Sequence, residues 1–283
     1  MIIFLSYLYY FIASSISSLQ RRWLIKQKEF TTREQITFTF HCISMLFLGS
    51  LFFPFFSPFY ISGNPIYLFL LALTCAIFGA SSNIASYIAQ KHLDAGVTSI
   101  VWNIYTPVTI VLSSILLHEG LTPIQVLGTF LLLIAIIVIS KKHRIGRFSF
   151  DKYFLMTLLG GVLISGVLIA ERALQKTTGF SAGVMISWGS QALGLGLASL
   201  IFGHKHTYTT KEVITTGGLQ FLGALSYVIL VWVSSNLSLV TSITTFKIVV
   251  IFISAAIFLH EKEDLGRKIF GSIIAVIGLL LMK

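Results

Sequence analysis

Long apolar runs alternate with short polar clusters along the whole chain. The runs predict spans at residues 2–20, 36–56, 65–89, 97–117, 122–140, 153–170, 180–202, 213–234, 239–259 and 265–282. A bilayer core needs about 20 apolar residues per helix. Runs this long lack the two-residue alternation of barrel strands, so helices are predicted, the form that satisfies its own backbone in lipid. Arg267 and Lys268 leave the last run a short core that relies on snorkelling. The eighth and ninth runs are poorly separated, with no charge from Val213 to Phe246, and Ser234-Ser235-Asn236 is the predicted turn.

The pattern also repeats. Residues 97–140 and 240–283 each open with VTSI and continue as an apolar run to a His-Glu pair (His118-Glu119, His260-Glu261). Each then has a polar turn and a second apolar run with an early glycine, Gly128 or Gly271. Self-similarity of this kind sets an architecture. It extends to Arg22 with Lys26 and Phe30 against Arg172 with Lys176 and Phe180, and to Gly79-Ala80 with Ser82 against Gly223-Ala224 with Ser226. The expectation is an all-α integral membrane protein of ten transmembrane helices in two five-helix repeats, residues 1–140 and 153–283, joined by a basic linker at 141–152. Five is odd, so the second copy enters upside down and the repeats are inverted.

Charge fixes the compartment and the orientation. The 283 residues are 55% hydrophobic and 11% charged, against about 25% charged in soluble domains. The net charge of +10 sits in inter-span loops, where headgroups and insertion rules explain it, so the partner is a lipid bilayer and not a nucleic acid. Sixteen Lys and Arg fall in or beside one set of loops and three on the other side. The rich side is cytoplasmic by the positive-inside rule. Both termini are then expected to be extracytoplasmic, in a multi-pass protein of the cell membrane without a cleavable leader. Cys42 and Cys75 lie inside apolar runs and read as small buried hydrophobes.

Pro107, the apolar run to His118-Glu119, Leu127-Gly128 and the closing apolar helix resemble the drug/metabolite transporter superfamily, specifically its EamA-like group. The second copy, from Val249 through Glu261, Gly271 and Gly278, resembles it too, with Val249 where the first copy has proline. The resemblance implies a metabolite carrier with a central cavity and a small-molecule substrate. It also implies termini in the cytoplasm, opposite to the loop charges. A homodimer is compatible with it.

The candidate chemistry centres on Lys247, the one formally charged residue well inside a predicted span. An ammonium at that depth costs about 2.5–3.5 kcal/mol on insertion scales, so a compensating anion is expected, either a substrate or the headgroups reached by snorkelling. No Asp or Glu falls within a predicted span core, which disfavours a proton-driven cycle. Trp102, Asn103, Tyr105, Asn83, Tyr227, Trp188 and Gln191 are the other candidate substrate contacts, or else helix–helix glue. Pro107 removes a backbone donor and is the candidate gating residue. His41 reads as bonded to a neighbouring helix, and Glu119 and Glu261 as interfacial turn residues. His204-Lys205-His206 reads as a solvated loop, and HE here lacks the HExxH spacing of a zinc protease. No enzyme constellation, cofactor motif or metal site is expected. The leading function is a secondary transporter of a small amino-acid-like or anionic metabolite working by alternating access. The rival is a non-transporting scaffold or lipid-handling membrane protein.

Overall fold

The structure, a computed structural model, describes residues 2–93, 98, 101–140, 152–202, 207–258 and 265–281. The linker at 141–151, the loop His204-Lys205-His206, the pair His260-Glu261 and most of the first VTSI lie outside the described residues. The helices are α1 Ile2–Gln27, α2 Thr32–Ser50, α3 Pro65–His92, α4 Tyr105–Leu116, α5 Pro123–Ser140, α6 Lys152–Phe202, α7 Thr210–Ser234, α8 Leu237–Thr244, α9 Lys247–Phe258 and α10 Leu265–Leu281. A short 3-10 turn, Phe53–Phe55, follows α2.

Helix starts follow from local chemistry. Thr31 and Glu34 form a reciprocal capping box at α2, and Thr209 and Glu212 form one at α7. Asn64 caps α3 ahead of Pro65, whose missing N–H costs nothing in the first turn. Between α7 and α8, Ser235 takes the left-handed conformation and Asn236 caps the next helix, at the turn expected there.

The ten-span expectation, with its two inverted repeats, is corrected. Among the described residues, four helices are long and apolar enough to cross a membrane: Thr32–Phe55, Pro65–His92, Lys152–Phe202 and Thr210–Ser234. The expected fourth span reduces to the 12-residue α4, because the chain makes a turn at Asn103-Ile104. The expected ninth span divides at Thr245-Phe246 into α8 and α9, of 8 and 12 residues. The hydroxyls of Thr244 and Thr245 bond back to carbonyls one turn earlier, competing with the helix ladder. The expected sixth and seventh spans run together as α6.

Gly179 breaks that 51-residue element, at φ 81° and ψ 176°. Beyond the glycine the chain turns back on itself. Ser187 and Glu171, eight positions either side of Gly179, are bonded at 2.7 Å. A Cβ at Gly183 would lie 2.6 Å from the Gln175 backbone nitrogen, so only glycine lets the two limbs approach this closely.

Packing is led by α3 on α6, α5 on α10 and α1 on α7, with α2 against both α6 and α7. The main core gathers Tyr10, Ile43, Leu46, Trp188, Leu195, Tyr227 and Leu237 from five helices. Outward faces carry large apolar side chains such as Leu193, Leu197, Leu200 and Ile201, as lipid-facing helices require.

Candidate functional site

A cavity of about 250 Å³ lies between α1, α3, α6 and α7. One stripe of α1 lines it, from Tyr10 through Ser14, Ser17 and Ser18 to Arg21, at the three- and four-residue spacing of one helical face. Gln220, Gly223, Ala224 and Tyr227 of α7, which packs beside α1, line the adjoining wall. The lining therefore extends toward the end of the bundle that holds Arg21. At the other end aromatic rings pack at tilted and edge-on angles across the bundle: Phe53 lies 5.3 Å from Phe180 and 5.7 Å from Trp188, and Phe180 lies 5.7 Å from Trp232.

Seven of the eight candidate contacts, Lys247, Trp102, Tyr105, Asn83, Tyr227, Trp188 and Gln191, meet in this lining. Lys247 opens α9, just past the break after Thr245. Its Nζ donates to Tyr10 Oη at 2.9 Å and lies 5.4 Å and 5.5 Å from the ring centroids of Tyr10 and Tyr105. Two ring faces and the Tyr10 and Tyr105 hydroxyls hold the ammonium and leave an N–H donor for another partner. Tyr227 spends its hydroxyl on Thr241, at 2.8 Å. Asn83 donates to the Gly79 carbonyl of its own helix, at 2.8 Å, keeping its side-chain oxygen available. Gln191 donates to Ser187 Oγ at 3.3 Å. Trp102 lies flush against Gly160, where a Cβ would sit 2.6 Å from its ring.

Asn103 and Pro107 are not in the lining. Asn103 is buried, and its Oδ1 accepts from Thr106 Oγ1 at 3.1 Å and Thr245 Oγ1 at 3.4 Å. It ties the start of α4 to the break between α8 and α9. Pro107 lies in the first turn of α4, where a backbone donor is free in any case. It does not sit in mid-helix as the expected span had it.

Glu171 was missed. The sixth span was expected to stop at Ala170, so no carboxylate was counted inside a span. The helix runs on, and Glu171 is 6% exposed and part of the cavity lining. Ser187 Oγ donates to its Oε2 at 2.7 Å. No local signal marks it in the sequence: its burial follows from the return of the chain at Gly179.

Glu119 is also more than an interfacial turn residue. It is 6% exposed and takes Arg172 Nε at 2.9 Å, Lys176 Nζ at 2.8 Å and the Leu237 N–H at 2.7 Å. This clasp joins the α4–α5 turn to α6 and α8. His41 contacts the Tyr208 hydroxyl at 3.1 Å, away from the cavity. Cys42 and Cys75 are free and buried.

Residues 2–141 match the EamA-like transporter family. That family is one of transporters, not enzymes. No curated protein matches the chain in sequence. A solved structure, described only as a crystal structure of a protein, has the same fold with a TM-score of 0.70 at 14% identity, over 98% of this chain and 94% of its own. The likeness thus carries the fold through the second half of the chain as well. With a family match over its amino-terminal half and several membrane-crossing helices around a polar-floored cavity, this multi-pass membrane protein belongs to the EamA-like transporter family.

Proposed function

We propose that the protein carries a small anionic or amino-acid-like metabolite across the cell membrane, exposing the Lys247 cavity alternately to the two sides. The observation that carries this reading is Lys247 itself. An ammonium within the bundle is costly, and here it rests on the neutral side chains of Tyr10 and Tyr105 inside a cavity of about 250 Å³. A carboxylate, phosphate or sulfonate entering that space would complete its coordination by charge-assisted hydrogen bonds. Trp102, Tyr105 and Trp188 offer ring faces to the body of such a molecule, and Asn83 and Gln191 offer side-chain oxygens to a donor on it.

The loop charges support an orientation with Arg21 on the cytoplasmic side, so the cavity lining extends toward the cytoplasm and the aromatic cluster and Glu119 clasp lie on the outer side. A thermal-stability screen of the purified protein against amino acids, nucleosides and phosphorylated metabolites tests the reading. A ligand at 100 times its Kd stabilises by about 2.7 kcal/mol through mass action. Stabilisation by anionic compounds that Lys247→Met abolishes supports it. Equal stabilisation of the Met variant refutes Lys247 as the anchor.

A further inference from the structure

We propose that Glu171 is a proton-exchange site of the cavity it shares with Lys247, so that the cavity holds a removable proton as well as a fixed cation. Glu171 is, among the described residues, the only carboxyl group in the lining. Among the described residues no Lys or Arg forms an ion pair with it, in contrast to Glu119, which has two. Its hydrogen-bond partners are neutral: the buried Ser187 hydroxyl and the Trp188 side chain. A buried carboxylate with neutral partners alone is costly, whereas the acid form is not. The cavity gives the proton a route to and from water, which a sealed core position would lack.

The groups facing Glu171 are few. Cys75 of α3 shares Ser187 with it, and Tyr227 faces it from α7. Tyr105 of α4, Lys247 of α9, and Tyr10 and Arg21 of α1 share the cavity wall, while α2 adds only Ile43 and Leu46. Arg21 is engaged elsewhere, with Gln90 at 3.0 Å and over the Tyr87 ring at 4.3 Å. Lys247 is held instead by the neutral side chains of Tyr10 and Tyr105, with no carboxylate paired to it among the described residues. With the cavity empty, it favours the carboxylate. An anion on Lys247 cancels that field and adds a like charge, so Glu171 takes a proton from cavity water as the anion binds. The two bindings are linked reciprocally, and an anion then crosses with a proton. This last step rests on the transport reading; proton exchange at Glu171 does not.

The test needs no substrate. Full-length protein in liposomes is titrated between about pH 5 and pH 9 while the carboxylic-acid C=O band is followed by infrared difference spectroscopy. The expected result is a band that appears on acidification, disappears reversibly on alkalinisation, is missing in Glu171→Gln and moves in frequency in Glu171→Asp. Lys247→Met, which removes the cavity cation, should displace the midpoint upward by roughly one pH unit, and Lys247→Arg should leave it within a few tenths. No band difference between wild type and Glu171→Gln, or a Glu171 band indifferent to pH, overturns the proton site in the wild-type spectra alone. A midpoint unmoved by Lys247→Met overturns the link between the two charges. A failed substrate screen leaves the band intact, so the two readings fail separately.

Discussion

Replacing Glu119 by alanine should destabilise the fold by roughly 3–5 kcal/mol, the cost of breaking a buried ion pair and leaving one charge behind. The magnitude comes from Arg172, which is 4% exposed and would lose its carboxylate partner at 2.9 Å. Lys176 contributes little. It is 41% exposed, and exposed pairs are worth about 0–1 kcal/mol. The Leu237 N–H would lose its acceptor at 2.7 Å, a penalty of about 1–3 kcal/mol where water cannot replace it. These costs overlap and do not add. Equilibrium unfolding in micelles, with Glu119→Ala, Arg172→Met and the double variant, separates them. The double variant should cost at least about 1.5 kcal/mol less than the sum of the singles, because no unpaired charge remains. A cost below about 1 kcal/mol for Glu119→Ala, or simple additivity, would refute the clasp as a buried electrostatic joint.

Pro107→Ala should change stability by less than about 1 kcal/mol, because the proline occupies the first turn of α4, where its missing donor is free. Uptake kinetics should shift if the fixed backbone beside the Asn103–Thr245 joint helps the cavity change its exposure, and identical kinetics would retire Pro107 as a gating residue. For topology, an impermeant maleimide should label Ser62→Cys in intact cells and Lys211→Cys only after lysis, with little background from the buried Cys42 and Cys75. The reverse pattern would invert the orientation drawn from the loop charges.

Membrane class was legible because apolar run length is a local property. So was the start of α3 at Pro65, whereas α2 and α7 begin ahead of the expected spans, at the capping boxes of Thr31 and Thr209. The breaks were not legible. Thr245 and Phe246 look like any interior of an apolar run, and the division of α8 from α9 depends on hydroxyls that meet Asn103 from 142 positions away. The repeat in sequence did not yield ten matched spans for the same reason: helix continuity is decided by partners outside each copy. Lys247 stood out because a lone charge in an apolar run is visible one residue at a time. Glu171 escaped because it followed the apolar run instead of interrupting it, and only the return of the chain at Gly179 buries it. Glu119 likewise needed Arg172, 53 positions away, to become a joint.

The central claim, that Lys247 anchors a carried anion, is tested most directly by uptake into proteoliposomes. The compound that best stabilises the purified protein is supplied as a radiolabelled solute to vesicles holding wild type or Lys247→Met. The account predicts saturable uptake by wild type and a loss of at least about tenfold in the Met variant, the equivalent of 1.4 kcal/mol of binding, with the variant still folded. Saturable uptake by Lys247→Met at the wild-type rate, with an equal or higher melting temperature, would contradict it.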